Sequence, residues 1–148
     1  MLTKTKSSNL HEPIKLVLVT MDTHLNSAAN RAYQDLKKTI PGATLTIHSA
    51  SEFAGNAERL QKCKDDIASG NIVIATMLFL EDHYLPILDD LKARRDHCDA
   101  MVCAMSAGDV TKLTKIGKLD MSKPASGLMA MLKKLRPSAK DKDGKSKS

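Results

Sequence analysis

Four short β-branched runs, each followed by an apolar stripe at helical spacing, constrain this chain more than any other feature. Ile14–Thr20 (IKLVLVT) is apolar on both alternating sets of positions, as a parallel strand buried on two faces must be. Leu25, Ala28, Ala29, Ala32, Leu36 and Ile40 then recur at helical spacing until Pro41-Gly42. Ala43–His48 (ATLTIH) alternates like an edge strand. Asn56 is placed to cap a helix carrying Leu60, Cys63 and Ile67, which Gly70 ends. Asn71–Met77 is the most apolar strand, and Leu80, Tyr84, Ile87, Leu88 and Leu91 mark the helix after it. Pro86 should hold the regular part of that helix to a start near Tyr84 or Leu85. Asp99–Met105 is the fourth strand. Ser106 and Asp109 then fit a capping box before a stripe of Val110, Leu113 and Ile116, and a last helix is expected over Ala125–Leu135.

Strand–helix alternation with short connections implies right-handed crossovers and a three-layer, doubly wound α/β sandwich of the flavodoxin/Rossmann-like kind. The expected sheet is mainly parallel, of about four strands in the order 2-1-3-4. The 148 residues fit one domain, taken as 13–136, behind a flexible segment 1–12 and ahead of a basic linker 137–148 where the chain reads as truncated. The net charge of +6 does not belong to the globular part. Lys133–Ser148 alone carries seven Lys/Arg against two Asp, while 9–132 holds 14 basic and 15 acidic residues. With only 3% aromatic residues and no Trp, base-stacking platforms are nearly absent, and nucleic acid is not expected as a partner. The longest nearly apolar run, Ile72–Leu80, is far short of the ~20 residues a bilayer span requires. Three cysteines form no CxxC pair and read as reduced thiols of a bacterial cytoplasmic protein.

In parallel α/β sheets ligands bind beyond the carboxyl ends of the strands, so the loops there are the candidate site. Asp22 and His24 follow the first strand, Glu81, Asp82 and His83 the third, and Ser106 the fourth. A base beside a carboxylate could move protons or hold a divalent cation. Helix capping by Thr23, Ser51 and Ser106, with acidic residues serving first turns, accounts for several of the same residues without a ligand. His48 and His97 read as structural or solvent-facing. No metal ligand set is expected: Cys98 and Cys103, placed on one strand, would point to opposite faces, and Cys63 sits on a core stripe. Met101, Met105, Met129 and Met131 read first as core filler. There is no GxGxxG after the first strand, no GxxxxGK[ST] and no GxSxG, which excludes the familiar dinucleotide, phosphate-loop and hydrolase signatures.

The stretch Ile72–Met121, with its blocks ATMLFLEDH, RRDHCDAMV and MSAGDVTKLTKIGKLDM, together with VLVTMDTHL (Val17–Leu25), resembles the N-terminal domain of the large, porphyrin-binding H subunits of magnesium chelatases. The likeness covers Pro13 to Arg136. It implies a share in inserting Mg²⁺ into protoporphyrin IX, for chlorophyll or bacteriochlorophyll, with ATP hydrolysed by the partner I and D subunits. The missing phosphate loop agrees with that division of labour. No cofactor is expected on this domain itself; Mg²⁺, ATP and protoporphyrin IX belong to the full complex, together with the rest of the large subunit. The resemblance assigns no catalytic residue, and Asp22, His24, Glu81, Asp82, His83 and Ser106 stand on loop position alone. Two other readings are a large subunit of cobalt chelatase and a stand-alone flavodoxin-like binding or signalling module.

Overall fold

A computed structural model describes residues 12–122. The expected helix over Ala125–Leu135, the segment ahead of residue 12 and the stretch 137–148 lie outside the described residues. Strands β1 (Ile14–Thr20), β2 (Ala43–Ser49), β3 (Ile72–Thr76) and β4 (Ala100–Ala104) are all parallel, in the order β2-β1-β3-β4. Helices α1 (Asn26–Thr39), α2 (Ala57–Ser69) and α3 (Glu81–Arg94) form the crossovers. The apolar runs become strands because a parallel strand buries both of its faces, and β-branched side chains fill such a surface well.

The expectation of about four strands is corrected: the described residues form six. Lys115–Ile116 (β5) pairs antiparallel with β4, and Leu119–Asp120 (β6) turns back antiparallel on β5. Gly117, at φ +56°, supplies the left-handed residue that this tight reversal needs. The helix expected through Ile116 is a single turn, α4 (Gly108–Thr111). What ends it is Thr114, whose hydroxyl accepts from the Cys103 amide and donates to the Cys103 carbonyl, both at 2.9 Å. Helical spacing of Val110 and Leu113 was real, and both are buried, but they pack from a turn and a loop. Arg95 fixes the hairpin with Nε to the Leu113 carbonyl at 3.1 Å and Nη2 to Asp120 at 2.6 Å. Helix α3 also starts earlier than Pro86 led one to expect. Proline at its sixth position forfeits only the bond to the Asp82 carbonyl, on an exposed residue of the first turn.

The two faces of the sheet are covered unequally. On one, Val17, Val19, Val73, Ala75, Met101 and Cys103 pack under Cys63 and Ile67 of α2 and Ile87 and Leu91 of α3, every one at most 2% exposed. On the other, α1 covers Leu16 and Leu18 through Ala29, Ala32, Tyr33 and Leu36. Helices therefore lie on both faces. At the α2 side, Asp66 is buried and gathers Lys15 (2.8 Å), His48 (2.7 Å) and Lys62 (3.1 Å), tying β1, β2 and α2 together. His48 is structural, as the sequence led one to expect.

Candidate functional site

The carboxyl ends of the parallel strands define one rim, and the structure places all six candidate residues along it. After β1, Asp22 Oδ1 accepts the His24 amide at 3.0 Å and lies 2.7 Å from His24 Nδ1. These hydrogen bonds, the amide first and the ring second, hold the Asp22 carboxyl below its usual range, and the nearby His83 adds to the effect. His83 thus shares the electrostatic environment of Asp22, across the position where strand order reverses. Its Nδ1 is buried and has no hydrogen-bond partner among the described residues, and the same holds for Asn26 Oδ1 at the start of α1. Glu81 and Asp82 do not join this group. They line a separate, mostly apolar groove of about 540 Å³ with Phe53, Ala54, Leu60, Leu85 and Pro86.

Ser106 is neither a helix cap nor a free ligand. Its Oγ accepts the Leu78 amide at 3.0 Å and donates to the Ala104 carbonyl at 3.1 Å, so it fastens the loop after β3 to the loop after β4. Ala107, with no side-chain bond, occupies the cap position of α4. The other two expected caps also differ: Asp22 rather than Thr23 caps the turn Thr23–Leu25, and Ser49, without a side-chain bond, precedes Ala50–Glu52. Asn56 does cap α2, accepting the Arg59 amide at 3.1 Å.

Two features of this rim were missed from the sequence. Met77 and Met105, each directly after a strand, sit at φ +61° and +50°, and the Met77 amide donates to the Met105 carbonyl at 2.8 Å. A left-handed methionine costs about 1 kcal/mol or more, and such strain persists only where the surroundings impose it. Beside this pair the chain exposes Phe79, Leu80, Leu85 and Met105, each more than half exposed. Met105 is therefore not core filler, whereas Met101 is. The signal was available: β3 uses five residues of the nine-residue run Ile72–Leu80, and the surplus apolar residues spill onto the rim. Met105→Gly removes the strain and the exposed side chain together. It is expected to raise stability by about 1 kcal/mol in urea unfolding; a loss of stability would show that the side chain packs.

Cysteine chemistry is quiet. Burial pushes the thiols of Cys63 and Cys103 up to about 12, and Cys98 is raised too, again by burial. Cys98 precedes β4 and packs against the same core as Cys103, rather than pointing to the opposite face from within the strand. Among the described residues no group of three or more His, Cys, Asp or Glu is placed to hold a metal ion, and no helix is long and apolar enough to cross a membrane.

Fold and rim together define an α/β domain built on four parallel strands, with an apolar and partly strained surface at their carboxyl ends. A family model described as a domain of unknown function, DUF3479, matches residues 15–148, and the chain belongs to that family. It is 42% identical over 133 residues to the magnesium-chelatase H subunit of Cereibacter sphaeroides, covering 90% of this chain and 11% of that protein. To the magnesium-chelatase H subunit of Rhodobacter capsulatus it is 40% identical over 128 residues, 85% of this chain and 11% of that protein. The chloroplastic magnesium-chelatase ChlH protein of Oryza sativa subsp. indica is 25% identical over 112 residues, 74% of this chain and 8% of that protein. The chain thus spans about a tenth of the length of these curated relatives.

Proposed function

We propose that this chain acts as the N-terminal domain of the porphyrin-binding subunit of a cytoplasmic magnesium chelatase, and that its carboxyl rim docks the rest of that machine. The full complex would insert Mg²⁺ into protoporphyrin IX on the way to chlorophyll or bacteriochlorophyll, using ATP hydrolysed by the I and D subunits. The similarity to two bacterial H subunits supports the assignment to that enzyme. The observation that carries the docking role is the set of exposed apolar residues at the carboxyl ends of β3 and β4, Phe79, Leu80 and Met105, with Leu85 in the groove edged by Glu81 and Asp82. Contiguous exposed apolar residues with a polar border mark protein contact surfaces. Strained backbone beneath them gives the surface a fixed shape before the partner arrives.

The test uses the full-length large subunit carrying Leu80→Ser with Met105→Ser. Porphyrin affinity, read by fluorescence quenching, is expected to stay within about twofold, while chelation with the I and D subunits falls tenfold or more. Truncating well-packed interface anchors typically costs about 2 kcal/mol, which corresponds to that factor. Unchanged chelation overturns the docking role. Weakened porphyrin binding would instead place the substrate on this rim, and replacing His24 and His83 by Ala would then show whether the imidazoles take part.

A further inference from the structure

The groove that holds Glu81 and Asp82 is apolar except along their edge. Phe53 and Ala54 of the loop before α2, Leu60 of α2, and Leu85 and Pro86 of α3 line its volume of about 540 Å³. Gly55, at φ +77°, turns the chain after Ala54, so that α2 starts at Ala57 under its Asn56 cap and brings Leu60 to the groove. Leu85 is left 52% exposed there. No lysine or arginine lines the groove. Glu81 and Asp82 are both exposed, and among the described residues neither forms an ion pair. Two basic side chains of α2 are engaged elsewhere, Arg59 with Glu52 at 3.0 Å and Lys64 with Asp90 at 3.8 Å. The dipole of α3 favours carboxylates in its first turn, which accounts for Glu81 and Asp82 as helix residues but not for the apolar groove they edge.

We propose that this groove receives a basic amphipathic helix of a partner polypeptide, with apolar side chains one turn apart against Phe53, Leu60 and Leu85 and a lysine or arginine on Glu81 and Asp82. This deepens the docking role proposed above and rests on it. Charge sets the sign of the partner. Two carboxylates with no cation between them attract a basic segment and turn away an acidic one. The form of the partner follows from the walls. They are side chains of two helices and a loop, not the edge of a strand, so an extended segment finds no ladder for its backbone. A helix satisfies its own backbone and brings only an apolar stripe. A small molecule suits the groove less well, because such sites carry polar groups converging inside an apolar pocket. Here both polar residues stand at the border, which is the anatomy of a contact between proteins.

The experiment measures association of the full-length large subunit with the I and D subunits by fluorescence anisotropy, at salt rising from about 50 to about 300 mM. Leu85→Ser is expected to weaken association about tenfold. Glu81→Gln with Asp82→Asn should weaken it about threefold at the lowest salt and flatten its dependence on salt. Asp89→Asn, an exposed carboxylate of the same helix outside the groove, should change neither. Urea unfolding of each variant separates a lost contact from a lost fold. A photo-crosslinker in place of Ala54 then captures the occupant, expected to be a basic helical stretch of the I or D subunit. Adducts within the large subunit itself, or on a second copy of it, overturn the proposal. So does a salt dependence identical in the parent and the neutralised variant, or tighter association after neutralisation. If Leu80→Ser with Met105→Ser abolishes chelation while the groove variants associate normally, the docking role stands and this inference alone falls. If none of these variants has an effect, both fall.

Discussion

Asp66→Leu is expected to lower stability by about 3–5 kcal/mol, because it leaves the Lys15 ammonium and the His48 ring facing a buried apolar side chain. The effect should depend on pH. Burial by itself would raise this carboxyl, but hydrogen bonds from Lys15, His48 and Lys62 outweigh it and hold it at about 2, below the ordinary 3.8. A carboxyl depressed in the folded state stabilises above its unfolded value, and that stabilisation is lost as pH falls through the folded one. By linkage about 2 kcal/mol is at stake, present at neutral pH and fading between about pH 4 and pH 2. Urea unfolding at pH 7 and pH 3 should show the gap between the parent and Asp66→Asn narrowing at the lower pH. A gap that stays constant would mean that the pair is held by packing and not by charge.

Thr114→Val is expected to be nearly as costly, at about 2–5 kcal/mol. The valine fits the same space but leaves both the Cys103 amide and the Cys103 carbonyl buried without their partner, and each unmet group costs about 1–3 kcal/mol. The damage should be local as well as global. Hydrogen exchange at Cys103 and along β5 should speed up more than in β1, since the threonine stands in for a strand where β5 has not yet begun. Equal acceleration throughout would show that only global stability has changed.

The parallel four-strand order was legible because each of its strands is a continuous apolar run followed by a helix, and that pattern admits few topologies. The hairpin was not. Lys115–Asp120 contains two apolar residues, Ile116 and Leu119, and its position comes from Arg95, Asp120 and Thr114, which meet only after folding. At the rim, sequence position was enough to bring Asp22, His24 and His83 to one end of the sheet. It could not separate Glu81 and Asp82 from them, because the first turn of a helix points successive side chains in different directions. Nor could it show that Ser106 bonds to a neighbouring loop, or that two methionines would adopt left-handed backbone. Such conformations are imposed by the loop that must be closed, not by the residue that adopts it.

The return of the chain through Gly117 leaves the sheet lopsided. At the β6 end only two residues of backbone face outwards, whereas β2 presents seven, ATLTIHS, with no proline and no lysine among them. Lysine, proline or a very short strand is what ordinarily discourages a stranger's backbone from pairing at such a border. Among the described residues the sheet has the short strand at one border and none of the three at the other. Any additional strand, whether native or a mistake of crowding, would therefore join beside β2, and lysine at Thr44 or Thr46 is the conservative way to keep a concentrated preparation from doing so.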